Sequence, residues 1–110
     1  MSKIDLQNFV EYGALFEVYG KLLSADRQSI MESYFTFNMT LAEIATEKQI
    51  SRQAVLDAIK KSCEKLQSFE SALGVVKKNQ NLSRYLDELE ILAKGNSKIL
   101  KKVEEMKKEI

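Results

Sequence analysis

The segment from residue 40 to residue 61, TLAEIATEKQISRQAVLDAIKK, contains two short helical patterns of apolar residues that are out of phase with each other. The first pattern stops before the corner KQIS (48–51), and the second begins after it. A single straight helix keeps one apolar face, because its side chains repeat every 3.6 residues. The change of phase therefore predicts two helices that cross, with a tight turn between them.

The composition favours helices along the rest of the chain as well. The 110 residues include no proline and only four glycines, while Ala, Leu, Ile, Glu, Lys and Gln predominate. These six residue types lose little side-chain freedom in a helix. We predict an all-α fold in which residues 1–77 form a helix-turn-helix core domain. Residues 78–110 are expected to form an additional helical C-terminal part that packs on the core or on a partner subunit.

The spacing of apolar residues predicts four helices in the core, at about 5–23, 25–35, 40–48 and 51–77. Ser24 or Asp26, Thr40 and Ser51 can cap the later three by accepting a bond from a free backbone N–H. The polar stretch KKNQN (77–81) is expected to connect to a fifth helix. Apolar side chains expected on inner faces are Phe9, Tyr12, Leu15, Phe16, Val18, Tyr19, Leu22, Leu23, Ile30, Met31, Tyr34, Phe35, Leu41, Ile44, Ala45, Val55, Ile59, Leu66, Phe69, Leu73, Leu82, Tyr85, Leu86, Leu89 and Leu92.

The C-terminal part allows two arrangements. From residue 85 to residue 110 the apolar spacing alternates four and three, which is typical of a coiled-coil seam with Asn96 buried in it. The stretch KGNS (94–97) is also an ordinary stop and restart, with Gly95 past the helix end and Asn96 or Ser97 as the next cap. We favour the break. Either arrangement leaves a long apolar edge, so a homodimer that pairs through the C-terminal helices is one expected outcome.

The corner carries the residue types that two steeply crossing helices require. Ile44 is a core hydrophobe, and the small Ala45 follows it where the two helices approach most closely. Gln49 occupies the turn position, which usually has glycine because the backbone there adopts positive φ. Another residue tolerates that conformation at a cost of roughly 1 kcal/mol or somewhat more. Further positions expected to face inward are Ile50, Val55, Ala58 and Ile59.

The first turns of the fourth helix are the candidate nucleic-acid-binding site. In a major groove, Arg52 can bond guanine O6 and N7, and Gln53 can bond adenine N6 and N7. Asp57 opposes this interpretation by placing a negative charge near the phosphates, and the net charge of +1 gives little attraction. The same residues also suit a solvated helix start. The full candidate set is Ser51, Arg52, Gln53, Leu56, Lys60, Lys61 and Lys65, with Lys48 as a further phosphate contact.

Other chemistries lack the residues that they need. The chain has no histidine and one cysteine, Cys63, which excludes a nucleophile–base pair and a soft metal site. Its carboxylate pairs lie among lysines and suit solvent-exposed ion pairs. The N-terminus has no apolar signal region, and no run approaches the roughly 18 apolar residues that span a bilayer. We expect a cytoplasmic, non-catalytic protein that has no cofactor, no metal and no membrane association.

Two stretches carry a family resemblance. ALFEVYGKLLSADRQSIMESYF (14–35) and TLAEIATEKQISRQAVLDAIKKSCEKLQSFE (40–70) resemble the YlxM-like family of small bacterial proteins, whose genes lie beside those for the signal recognition particle. The family's core is similar to the helix-turn-helix in region four of the primary sigma factors. The likeness covers about residues 12–72. This chain departs from the family at Gln49, where glycine is common, and over a C-terminal third that we do not match.

The resemblance implies a sigma-region-four-like helix-turn-helix and a regulatory or accessory role in the signal recognition particle pathway. Within the matching SRQAV (51–55), it implies Arg52 and Gln53 as the contact residues. Two hypotheses follow. The protein is a regulator that binds duplex DNA through its fourth helix, or it is an accessory module that binds the signal recognition particle RNA or protein and associates with itself.

Overall fold

The structure, a computed structural model, describes residues 6–110, and in this range it is all-α. The predicted fold class is confirmed, whereas the predicted start of the first helix at residue 5 lies outside the described range. None of the helices within it is long and apolar enough to cross a membrane. The helices are α1 (Leu6–Tyr19), followed by a 3-10 turn (Gly20–Leu22), α2 (Ala25–Phe35), α3 (Leu41–Lys48), α4 (Arg52–Leu73), α5 (Val75–Leu92) and α6 (Ser97–Lys107).

Side-chain caps fix where α2, α3 and α4 begin. The Ser24 hydroxyl accepts from the backbone N–H three residues on at 3.3 Å, so Ser24 rather than Asp26 is the cap of α2. The Ser51 hydroxyl caps α4 in the same way at 2.9 Å. Thr40 and Glu43 bond reciprocally at the start of α3, in a capping box. The hydrogen bond from the Thr40 backbone lowers the pKa of the Glu43 carboxyl.

The chain divides into two compact units, and α4 is the central helix of the first, which ends at Leu73. The helices α1, α2 and α3 all pack against α4. The side chains between them exclude water almost completely, as the interior of a small helical domain requires. The predicted inward positions that the structure places in this core are Leu15, Tyr19, Leu23, Ile30, Met31, Ile44, Ala45, Val55, Ile59 and Leu66.

Aromatic residues and one cysteine complete this core. The Phe9 ring lies 5.7 Å from the ring of Tyr34 and 4.8 Å from that of Phe35, measured between centroids. The buried Tyr19 hydroxyl donates to Glu70 Oε1 at 2.5 Å, which joins α1 to α4. Cys63 is buried, and burial, with a smaller contribution from the charge of Glu64, raises the pKa of its thiol to about 12. The thiol therefore stays protonated at neutral pH and packs as a small apolar group.

The predicted extension of the fourth helix to residue 77 is wrong. α4 ends at Leu73, because Gly74 adopts the left-handed conformation with φ of 63° and turns the chain. The stretch 77–81, expected to be a connection, lies inside α5, since Lys, Asn and Gln are all compatible with a helix. Leu73 was expected to face inward but is 60% exposed at the helix end. Val18 and Leu22, at the end of the first apolar stripe, are likewise exposed.

The second unit, Gly74–Ile110, is a hairpin of two helices. Gly95 has a φ of 88°, and the Asn96 side chain accepts from the backbone N–H of Ile99 at 3.1 Å. The predicted break between the last two helices is thus confirmed, and a continuous helix through Asn96 is excluded. The chain doubles back so that α6 packs on α5.

One lysine and three apolar residues hold the hairpin together. Lys107 Nζ donates to Asp87 Oδ1 and to Glu90 Oε1, both at 2.8 Å. These two bonds raise the pKa of Lys107. The side chains buried in this unit are Leu86, Ala93 and Val103.

The remaining inward predictions for α5 are wrong, because α6 covers only the side of α5 that carries Leu86 and Ala93. Four residues expected inside are instead exposed: Leu82, Tyr85, Leu89 and Leu92.

Candidate nucleic-acid interface

A left-handed residue makes the turn between α3 and α4. Gln49 has φ of 60° and ψ of 43°. Its backbone N–H donates to the Thr46 carbonyl at 3.4 Å, and the next N–H, of Ile50, donates to the Ala45 carbonyl at 3.1 Å. This pair of bonds is a Schellman motif, which satisfies the last carbonyls of α3 and reverses the chain. The prediction of positive φ at Gln49 is confirmed.

Side chains on both sides of the turn hold the two helices together. Ile44 and Ala45 of α3 are buried, as are Val55 and Ile59 of α4. Ile50 is an exception to the prediction, because it is 40% exposed. The hydrogen bond from the Ile50 N–H to the Ala45 carbonyl holds the Ile50 backbone at the end of α3. The Ile50 side chain is therefore left at the edge of the corner. Residues 40–65 therefore form a helix-turn-helix whose geometry depends on four buried side chains.

The strain at Gln49 predicts that a glycine would stabilise the turn. Gln49→Gly is expected to raise the free energy of unfolding by up to about 1 kcal/mol, because glycine adopts this conformation without a Cβ clash. Gln67→Gly is the matched control, since Gln67 is exposed in the interior of α4. That variant should be less stable by roughly 0.5–1 kcal/mol. Urea denaturation followed by circular dichroism gives both values, and equal losses would contradict the turn geometry.

The start of α4 presents its candidate side chains to the outside. Ser51, Arg52 and Gln53 are exposed, and Leu56 one turn later is partly exposed. These four residues span about one and a half turns at the start of α4. In a helix-turn-helix, this part of the second helix is the one that contacts base edges in the major groove. The structure therefore brings the first part of the predicted site together.

The lysines of the predicted site extend away from this start. Lys60 and Lys61 are exposed two to three turns along α4, and Lys65 is exposed still further on. At 1.5 Å per residue, Lys65 lies roughly 20 Å from Arg52 along the helix axis. Lys61 and Lys65 lie on one side of α4 and Lys60 is turned about 100° away from Lys61, so the three lysines do not cluster around Arg52.

Two contacts limit how the site can bind. The Gln53 side-chain amide donates to Asp57 Oδ1 at 3.0 Å, so one of its N–H groups already has a partner on the same helix. Lys48 is partly buried and donates to the Ser29 hydroxyl, and its predicted phosphate contact remains a prediction. The Gln–Asp spacing of four residues is a known stabilising pair on helices and is visible in the sequence. The Ser29 contact joins two distant helices and has no sequence signal.

The charges around the site are nearly balanced. Residues 40–66 carry five Lys or Arg and four Asp or Glu. Glu43 and Glu47 are exposed on α3, and Asp57 and Glu64 are exposed on α4 between the lysines. Few phosphates can be neutralised by such a surface, so binding would depend on a small number of specific contacts.

Comparisons with known proteins agree with this architecture. A family model described as "Putative helix-turn-helix protein, YlxM / p13 like" matches residues 6–108. The match includes the C-terminal third, which lies outside the stretches of sequence that carry the family resemblance. The whole of α3, the turn and α4 also lie within it.

Several curated relatives are similar over most of their length. The UPF0122 protein YlxM of Bacillus subtilis is 34% identical over 93 residues, which cover 84% of both chains. A UPF0122 protein of Thermoanaerobacter sp. (strain X514) is 35% identical over 109 residues, with 94% of this chain and 93% of the relative covered. A UPF0122 protein of Symbiobacterium thermophilum is 42% identical over 76 residues, with 69% and 71% covered.

Proposed function

Because this chain belongs to the YlxM/p13-like family of helix-turn-helix proteins, we propose that it is a cytoplasmic, non-catalytic regulator that binds duplex DNA through the first turns of α4. The observation that carries the proposal is the exposure of Ser51, Arg52 and Gln53 at the start of the second helix of the motif. In a helix-turn-helix this is the part that contacts base edges.

Each exposed residue at the start of α4 has a role in this proposal. Arg52 bonds guanine O6 and N7 with its forked guanidinium group. Gln53 bonds adenine once its amide leaves Asp57, and Leu56 offers an apolar contact to a thymine methyl group. Lys60 and Lys61 contact the phosphates beside the groove, with Lys65 as the most distant of these contacts.

Asp57 has an opposing role that weakens binding. Its carboxylate repels phosphates, and its Oδ1 accepts from the Gln53 amide at 3.0 Å. Every duplex meets this negative charge, and the Gln53 contact to adenine also requires the amide to leave Asp57. This arrangement lowers the affinity for all DNA, so binding depends on the specific contacts that Arg52 and Gln53 add.

Arg52→Ala tests the base contact directly. The wild-type chain is first used to select duplexes from a random pool, and the selected duplex is titrated by gel shift at two salt concentrations. Loss of Arg52 should weaken binding by about 1–3 kcal/mol, or roughly 5- to 150-fold, and should relax the preference at one base position. Lys61→Ala is the control, since losing a phosphate contact should weaken all duplexes alike and reduce the salt slope by about 1.

Asp57→Asn gives a result of opposite sign in the same assay. Removal of its charge should tighten binding to selected and unselected duplexes by similar factors, because the repulsion acts on phosphates of any sequence and Asn still offers an Oδ1 to the Gln53 amide. The proposal fails if Arg52→Ala keeps both the wild-type affinity and the wild-type base preference.

A second candidate function is an accessory role in the signal recognition particle pathway, through binding of its RNA or its protein. The nearly balanced charge of residues 40–66 supports a protein target in particular, because a surface with little excess positive charge attracts any nucleic acid only weakly. Titration of the signal recognition particle RNA beside the duplex, at both salt concentrations, separates the two functions. Tighter RNA binding that Arg52→Ala leaves unchanged would favour this second candidate.

A further inference from the structure

The second unit has little core of its own. It comprises only the residues from Gly74 to Ile110, fewer than the roughly 40 below which chains usually need a disulfide, a metal or a partner. Among these residues only Leu86, Ala93 and Val103 are buried. Most of its large apolar side chains are in contact with solvent, and this arrangement costs free energy unless another surface covers them.

These exposed side chains form a groove between α5 and α6. Its volume is about 410 Å³, and Glu109 is the charged residue on its wall. The exposed apolar residues of the groove have between 37% and 54% of their surface open to solvent. Leu92, also exposed, continues the apolar spacing of α5 toward the loop, and Ile99 is exposed on α6 just after it. The apolar residues that line the groove are Leu82, Tyr85, Leu86, Leu89, Met106 and Ile110.

We propose that a second copy of this chain covers the groove, so that two α5–α6 hairpins form an antiparallel four-helix arrangement. The spacing on α5 supports this occupant. Leu82, Tyr85, Leu89 and Leu92 are separated by three, four and three residues, a pattern that is the same in both directions. Around a two-fold axis near residue 87, Leu82 lies opposite the second copy's Leu92, and Tyr85 lies opposite its Leu89. A closed two-fold pair requires such a self-complementary surface.

The exposed area is sufficient for a pair. A large side chain has about 150–250 Å² of surface, so the five that are roughly half exposed leave on the order of 500 Å² per copy. Pairing two copies would bury about 1,000 Å² of apolar surface, which reaches the lower limit for a specific interface before any polar rim is included. Helices that pack in this way form the core of four-helix bundles.

Charges beside the apolar stripe also suit a second copy. Arg84 Nε lies 3.9 Å from Glu88 Oε2 in the same chain, and both side chains are more than 60% exposed. Because Glu88 is next to the proposed axis, two copies bring two Glu88 and two Arg84 together with alternating sign. This ring of charges would form the polar rim on that side of the interface.

Sedimentation velocity over low to high micromolar concentrations tests the proposal. The wild-type chain is expected to form dimers, and Leu89→Lys is expected to weaken self-association at least tenfold, because it places a charge in the centre of an apolar interface. Tyr85→Lys changes a more exposed residue of the same apolar stripe and should also weaken self-association. Agreement between the two variants shows that the effect is not a folding defect of Leu89→Lys. Ile91→Lys is the matched control, since Ile91 lies on the same helix but is 75% exposed on another face. Circular dichroism checks that all variants stay helical.

A mixing experiment tests the antiparallel register. Tyr85→Lys and Leu89→Glu should each be monomeric alone, whereas an equimolar mixture should regain dimer, because residue 85 of one copy faces residue 89 of the other. The proposal is overturned if the wild-type chain stays monomeric at the highest concentration, which would leave the groove to another protein or a small molecule. It is also overturned if Ile91→Lys dissociates the dimer as strongly as Leu89→Lys, or if the mixture stays monomeric. None of these results depends on nucleic-acid binding.

Discussion

Replacement of Ile59 by alanine is expected to lower the free energy of unfolding by about 2–5 kcal/mol. Ile59 is fully buried in α4, the helix against which α1, α2 and α3 all pack. Its truncation removes three side-chain carbons from a fully buried position, and the surrounding backbone cannot close the cavity without moving a helix. Both the lost transfer free energy and the empty volume contribute to the cost.

Leu73→Ala is the control for this prediction, because Leu73 lies at the end of the same helix and is 60% exposed. It should change the free energy of unfolding by no more than about 0.5 kcal/mol. Urea denaturation with a common slope for all variants gives both values. Similar losses for the two variants would mean that α4 is not the central helix of the first unit.

Replacement of Ala45 by leucine is expected to destabilise the protein by about 1–3 kcal/mol, and to weaken the DNA binding proposed for α4 at the same time. Ala45 is only 7% exposed on α3, the helix that packs on α4, so a larger side chain must displace its neighbours. A larger side chain forces α3 away from α4 and alters the turn, whose Ile50 N–H is bonded to the Ala45 carbonyl at 3.1 Å. The change therefore affects the presentation of Arg52 as well as the core.

Ala42→Leu separates this effect from a general effect of leucine. Ala42 lies on the same helix as Ala45 but is exposed, so its replacement should leave stability within about 0.5 kcal/mol of the wild type. Thermal unfolding and the gel-shift titration are measured on both variants. Tolerance of leucine at position 45 would show that the two helices do not approach as closely as the structure indicates.

Several site features were predictable from the sequence because they depend on few neighbouring residues. Thr40 and Ser51 cap their helices as predicted, since a hydroxyl bonds a backbone N–H three residues later, wherever the helix lies. Gln49 adopts the predicted left-handed conformation. The prediction was possible because the apolar positions change phase at this residue, which requires a tight turn between two helices. Gln53 is exposed because helical periodicity turns it away from the buried Val55 and Ile59, whereas Arg52 lies on their side of α4 and is exposed because it begins the helix.

Two features of the site were not predicted. The contact of Lys48 with Ser29, nineteen residues earlier, has no signal in the sequence around either residue. Ile50 was expected to point inward, but the local hydrogen bond from its N–H to the Ala45 carbonyl leaves its side chain at the edge of the corner. The end of α4 is a different case, because Gly74 was visible in the sequence. An isolated glycine costs a helix only about 1 kcal/mol, so its presence alone does not show that a helix ends there.

The sequence by itself determined the helical class of this protein, the crossing at residues 48–51 and the break at Gly95 and Asn96. Each of these depends on backbone conformations and hydrogen bonds within about five residues, where residue type decides the outcome. Only the tertiary structure decided which side of each helix is covered. The face of α5 that carries Tyr85 and Leu89 has the same apolar character as its buried face, and only the position of α6 distinguishes them. Burial depends on where distant helices pack, and the periodicity of one helix does not contain that information.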